Sequence, residues 1–240
     1  SGFILALGIL AWFTLEDKVA DKENSNPGQR IGLEEIISAL KMPVVWLIAT
    51  VILTGYCAYW GTFRFTSYAT DIFTMSVAIA ASISVGKMWL KPLAAFIAGF
   101  IADRFGIART VASLFLVLIV SFCIFAVMPG SPSMIPMMLA NVAVASLAVF
   151  AMRGIYFALL EEGGIPMAIT GTVAGIVSAV GFTPDIFMPL LGGVLLDTFP
   201  GATGYRYFFL TTAAICAVGF AAALIIYLKY VKGADSKAAG

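Results

Sequence analysis

Histidine is absent from this 240-residue chain, and charge is scarce, with Lys, Arg, Asp and Glu together making up 11% of it. The missing histidine removes the commonest metal ligand, the usual acid–base group near neutrality and any HExxH zinc-protease motif. No metal or cofactor is expected. No nucleophile and base pair stands out either, so the chain reads as a non-enzyme. The three cysteines, Cys57, Cys123 and Cys216, all sit inside apolar stretches, where a free thiol acts as a small hydrophobe and no disulfide framework is expected. Charge of one sign is lacking too. The balance of 14 Lys and Arg against 13 Asp and Glu leaves +1, which gives no basis for a nucleic-acid or acidic partner.

What is present is apolar. Hydrophobic residues make up 61% of the chain and mean hydropathy is +1.02, against roughly 45–50% apolar content in soluble domains. The chain therefore reads as an all-α protein of the lipid bilayer. Residues 1–15, SGFILALGILAWFTL, would extend about 22 Å as a helix, short of a ~30 Å hydrocarbon layer. They lack a signal peptide's basic start and cleavage site, and read as the end of a truncated transmembrane helix. Residues 16–42 are polar, with Asn26-Pro27-Gly28 as a turn, and read as a cytoplasmic loop. Within it Leu33, Ile36, Ile37 and Leu40 recur at helical spacing and predict a short amphipathic helix.

Six apolar segments follow: Pro43–Thr66, Ser76–Ala102, Thr110–Val127, Met134–Leu160, Pro166–Leu196 and Tyr207–Leu228. Each is long enough to cross a bilayer, and the turns between them are short and rich in Gly and Pro. The expected organisation is a six-transmembrane-helix bundle over residues 43–230 with a tail at 231–240. Lys18, Lys22, Arg30, Lys41, Arg104, Arg109, Lys229, Lys232 and Lys237 fall on one side of such a bundle and Arg206 on the other. The positive-inside rule then puts the loop and C-terminus in the cytoplasm, as in a multi-pass inner or plasma membrane protein.

Between the second and third segments the sequence reads GFIADRFGIART, with Gly99, Asp103, Arg104, Gly106 and Arg109. This resembles the loop signature of the major facilitator superfamily, a Gly, three residues, Asp, a basic residue, one residue and Gly, followed by basic residues. Ile107 and Ala108 depart from the basic residues that the family prefers. The resemblance implies the C-terminal half of a twelve-helix secondary transporter working by alternating access, with a missing N-terminal six-helix half as partner. It also implies that Glu161 and Glu162, ending the fourth segment, face Arg104 or Arg109 in a conformational latch; a solvated acidic turn is the other reading. A fainter copy of the loop, Gly193 to Gly201, follows with Asp197 placed 94 residues after Asp103. That offset superposes the first three segments on the last three, as expected of an inverted three-plus-three repeat.

Charged residues inside a membrane cost about 2.5–3.5 kcal/mol each on insertion scales and are candidates for function. Arg64, Lys87, Lys91, Arg153 and Asp185 fall within four of the six segments, and the third and sixth have none. Lys91 precedes Asp103 and Asp185 precedes Asp197 by the same twelve residues, which puts both near mid-bilayer. Lys87 lies one turn from Lys91, while Arg64 and Arg153 are near enough to segment ends to snorkel. Two readings stand: a lysine pairs with Asp185 to lock two helices, or the surplus of cations holds an anionic solute. In the second, Lys87 and Lys91 bind an organic anion and Asp185 couples a proton or ion. Tyr56, Tyr59 and Phe63 share a helix face and either pack or line a solute pocket. In the fifth segment Gly171, Gly175, Ser178 and Gly181 form a small-residue stripe suited to close helix contact. The organophosphate antiporter branch carries an Arg just before a Tyr-Gly pair; Tyr59 stands at that position here, and that branch is not assigned. Proton-driven export of neutral or cationic compounds and a non-transporting half-length partner subunit are the alternatives.

Overall fold

The structure, a computed structural model, describes residues 33–233. Among these there are no strands, and six helical spans are long and apolar enough to cross a membrane: Pro43–Asp71, Val77–Phe105, Ile107–Val127, Pro132–Glu162, Met167–Thr198 and Ala202–Val231. They are called here the first to sixth spans. The opening run 1–15, the loop up to residue 32 and the tail from residue 234 lie outside the described residues. The amphipathic helix is present as Leu33–Leu40, leaving Ile36, Ile37 and Leu40 exposed.

Local chemistry sets the ends. Pro43 opens the first span at a position whose N–H would have no partner. Ser76 caps the second, its hydroxyl accepting from the Ile79 amide at 3.4 Å. The second and third spans meet at Gly106, with φ of 90°, a backbone shape that a side chain disfavours. Most helices run past their apolar stretches: the first continues through Thr66 to Asp71, and the second through Asp103 to Phe105. At 29 residues the second span would extend about 43 Å, so its charged end can stand clear of a ~30 Å apolar layer.

The sixth span packs on the third and first, the fourth on the second and third, and the fifth on the first and sixth. Lipid tails are as apolar as leucine, so close fit and internal polar contacts, not water exclusion, must join these helices. Both are visible. Phe65, Phe125 and Phe209 stack between the first, third and sixth spans, with Phe65 and Phe125 centroids 4.7 Å apart and those of Phe125 and Phe209 5.1 Å apart. Tyr68 joins them and donates its hydroxyl to the Phe125 carbonyl at 3.1 Å. The third and fourth spans are tied by Ser121 and Asn141, both buried: the serine hydroxyl donates to the amide oxygen at 2.7 Å and the amide nitrogen to the Ser121 carbonyl at 3.0 Å.

Two irregularities shape the site. The first span tightens into a 3-10 turn at Thr62–Arg64, and the fourth does so at Tyr156–Ala158. The second and fifth spans are also the least covered, with 22% of an apolar 18-residue stretch buried in each, against 61% in the first. Their outer glycines are unpacked: a methyl group added at Gly86, Gly99, Gly171, Gly175 or Gly193 would meet no described atom. The fifth-span stripe thus packs internally at Gly181, against Ile52 of the first span, and not at Gly171 or Gly175.

Candidate functional site

Tyr56, Tyr59, Trp60 and Phe63 lie three or four residues apart and form one stripe of the first span, ending where the helix tightens. Their rings form a continuous surface: centroids are 5.5 Å apart for Tyr56 and Tyr59, 5.0 Å for Tyr59 and Phe63, and 5.0 Å for Trp60 and Phe63. The fifth span adds Phe182, edge-on to Tyr56 at 4.9 Å. The tyrosines and Trp60 are half-buried and Phe63 is exposed, so this surface faces out of the bundle.

Charged groups from the neighbouring spans meet it. Arg153 of the fourth span, half-buried, lies over Tyr59 with its guanidinium carbon 4.0 Å from the ring centroid and 5.2 Å from that of Tyr56. A half-buried contact of this kind contributes about 1–2 kcal/mol. Asp185 of the fifth span is exposed. It accepts the Trp60 indole N–H at 2.8 Å and neighbours the Tyr56 hydroxyl. Tyr56 therefore stands between a cation and a carboxylate from two other spans.

Lys87 supports this surface from behind. Its side chain is only 3% exposed, and its ammonium donates to the Thr62 carbonyl at 2.9 Å and the Thr62 hydroxyl at 3.2 Å. The Thr62 hydroxyl in turn donates to the Tyr59 carbonyl at 2.8 Å. The Thr62 carbonyl also accepts the Phe65 N–H, so the lysine adds a second donor to this tightened turn while its nitrogen sits 4.8 Å from the Phe63 centroid. Lys87 thus fixes the turn that carries the aromatic stripe. Lys91, one turn on, is exposed and makes no hydrogen bond, ring contact or ion pair among the described residues. Neither lysine pairs with Asp185. Arg64 lies apart, reaching the Pro189 carbonyl at 3.5 Å, which is long for a hydrogen bond. It passes over Gly192, where a methyl group would come within 2.6 Å of its guanidinium.

The structure therefore brings Tyr56, Tyr59, Arg153 and Asp185 together, sets Lys87 beneath them and leaves Lys91 and Arg64 outside. Trp60 was not anticipated as the partner of Asp185. Its place on the stripe was legible from spacing, but nothing local in sequence links residues 125 apart.

At the turn between the second and third spans, Glu162 rather than Glu161 makes the contact, and not with an arginine. Its carboxylate accepts the Ile107 amide at 3.1 Å and the Ala108 amide at 2.5 Å, the unpaired donors at a helix start. Arg104 and Arg109 are exposed, the latter over Tyr227 at 4.6 Å. Neither forms an ion pair with a described residue. Asp103 makes no hydrogen bond there. A methyl group on Gly106 would lie 3.1 Å from the Glu162 carboxylate, so both backbone shape and space favour glycine. A second carboxylate clamp joins the end of the first span to the start of the sixth: the Tyr205 hydroxyl donates to Asp71 at 2.7 Å. Among the described residues no group of His, Cys, Asp or Glu is placed to hold a metal ion.

No protein-family model matches the chain. It is 27% identical over 238 residues to the inner membrane protein YqcE of Escherichia coli (strain K12), a match covering 97% of this chain and 56% of that protein. It is 25% identical over 214 residues to the inner membrane protein YihN of the same organism, covering 86% of this chain and 50% of that protein. The chain thus spans about half the length of these curated relatives. With its six apolar spans and its likeness to two inner membrane proteins, it is a membrane protein.

Proposed function

We propose that the chain forms one six-helix half of a secondary transporter of the major facilitator type, which moves a small solute by alternating access against a second bundle. The observation that carries this reading is the surface where Arg153, Asp185 and the aromatic stripe converge from three spans. Charged groups at membrane depth are costly, and here they are gathered on an outward-facing patch with no ion pair among them. Such a patch is half of a binding site. The opposing wall would come from a second six-helix bundle, seated against the poorly covered second and fifth spans with their unpacked glycines. Relatives about twice as long as this chain have room for it.

The inverted repeat belongs to the same reading. The 3-10 turn at Tyr156–Ala158 follows that at Thr62–Arg64 by 94 residues, the offset read between the two loops. Exchanging first with fourth span and third with sixth also exchanges the clamps: Asp71 holds the start of the sixth, Glu162 the start of the third. The favoured solute is an organic anion, since within the apolar segments the cations Arg64, Lys87, Lys91 and Arg153 outnumber the single carboxylate, Asp185. Export of neutral or cationic compounds coupled to protons is the second reading, favoured by the exposure of Asp185 without a cationic partner. The protein resides in an inner or plasma membrane with its C-terminus in the cytoplasm.

The test is counterflow of a labelled organic-anion panel into liposomes holding the full-length protein. Removing the charge in Arg153→Gln is expected to lower transport at least about thirtyfold, because an anion losing its charged partner forfeits roughly 2–5 kcal/mol. Full-rate transport by that variant would sink the assignment.

A further inference from the structure

Arg153 and Asp185 differ in charge but flank the same tyrosine, and this constrains what can lie between them. The contact of the Arg153 guanidinium carbon with the Tyr59 ring, 4.0 Å from its centroid, engages the cation without using up its N–H donors, a planar fork suited to a carboxylate or another oxyanion. Its other polar neighbour is the neutral hydroxyl of Tyr156. Among the described residues, Asp185 holds only the Trp60 indole N–H at 2.8 Å and the nearby Tyr56 hydroxyl. An ionised carboxylate offers about four acceptor positions, so an exposed one keeps capacity for further donors.

A purely apolar acid would suit Arg153 and be repelled by Asp185. A zwitterion would suit both but bring an ammonium close to the Arg153 guanidinium, which has no described acidic partner. A hydroxyl adds a donor without adding charge and turns Asp185 from a repelling group into a hydrogen-bond partner. The half-buried indole of Trp60 beside it offers an apolar face for the C–H bonds of such a molecule.

Resting on the transporter reading above, we infer that the solute is a small hydroxylated organic acid, with its acid group on the Arg153 fork and a hydroxyl on Asp185 beside Trp60. Lys87 is a positioning residue in this scheme, reaching the solute only through the turn it fixes.

The test measures binding and counterflow of three matched three-carbon probes, glycerate, propionate and serine, together with gluconate against hexanoate, by the full-length protein in liposomes. Each hydroxylated acid is expected to bind at least about tenfold tighter than its unsubstituted partner, since a hydrogen bond to a charged group is worth that or more. Asp185→Asn should collapse this ratio and leave propionate binding in place. Arg153→Lys should weaken both acids and leave the ratio unchanged. Because the readout is a ratio within one variant, partial loss of folded protein does not move it. Equal binding of glycerate and propionate, or tighter binding of serine, overturns the inference; if those probes are nevertheless moved across the membrane, the transporter reading stands alone. The expected ratios with no counterflow of any probe would support the site and overturn transport. No binding and no movement overturns both.

Discussion

Replacing Glu162 by Gln tests the idea that a carboxylate, acting on backbone amides, fixes the turn between the second and third spans. In the wild type both carboxylate oxygens are used, one on Ile107 and one on Ala108. The amide side chain keeps one acceptor and turns an N–H₂ toward the other backbone N–H. The loss is one charge-assisted hydrogen bond, about 1.5–3 kcal/mol, plus the attraction of a negative charge to a helix start, about 0.3–1 kcal/mol. Together that is roughly 2–4 kcal/mol, a fall in melting temperature of roughly 4–16 °C for a domain of this size. Glu161→Gln supplies the control, since Glu161 is exposed and makes no described contact with the loop; surface changes of that kind stay within about 0.5 kcal/mol. The assay is thermal unfolding of the purified full-length protein in detergent. Equal melting of wild type and Glu162→Gln, or a larger fall for Glu161→Gln, would refute the reasoning.

Two further perturbations separate structural from functional roles. Tyr205→Phe removes the hydroxyl bonded to Asp71 and should destabilise by about 1–2 kcal/mol, at the low end for a bond to a charged group because Asp71 is exposed; unchanged melting would remove the clamp. Lys87→Met sets the relief of a buried charge, about 2.5–3.5 kcal/mol, against the loss of its charge-assisted hydrogen bond to the Thr62 carbonyl, about 1.5–3 kcal/mol. Melting should therefore stay within about 2 kcal/mol of wild type while solute affinity falls as the turn carrying Tyr59 and Phe63 loosens, and a variant with full affinity would show that Lys87 does not position the site.

Helix number and the location of the turns were legible because apolar length and Gly-Pro punctuation are written in side chains. Glu162 stood out for the same reason, but its partner did not. Backbone amides belong to every residue, and only the fold reveals that those of Ile107 and Ala108 begin a helix within reach. Lys87 and Lys91 illustrate a finer limit. Four residues along a helix turn through about 40° beyond a full revolution, and that arc separates a lysine 3% exposed from one that is exposed. The buried positions Ala80, Ile83, Ala94 and Ala98 recur at a spacing that admits both lysines, so the pattern alone does not separate them. The 3-10 turns carried no cue of their own, since neither Thr62–Arg64 nor Tyr156–Ala158 contains Gly or Pro.

Among the described residues, six charged groups of this bundle are held by neutral partners. Lys87 rests on a threonine carbonyl and hydroxyl, Arg153 on tyrosine rings, Arg109 on the ring of Tyr227, Asp185 on an indole N–H, Glu162 on two amides and Asp71 on a phenol. Breaking a buried ion pair by removing one partner costs about 3–5 kcal/mol, whereas a hydrogen bond to a charged group nets about 1.5–3 kcal/mol. A bundle whose charges are steadied by dipoles and aromatic faces keeps its folded geometry without spending those charges on one another. Arg153 and Asp185 therefore remain able to gain a stronger, charged or hydrogen-bonding partner when one arrives. In a transporter that differential is what binding must supply, because a ligand can shift a conformational equilibrium only by the difference in its affinity for the two states. Had Lys91 paired with Asp185, the solute would first have had to displace an internal ion, and most of its binding energy would have gone into that exchange.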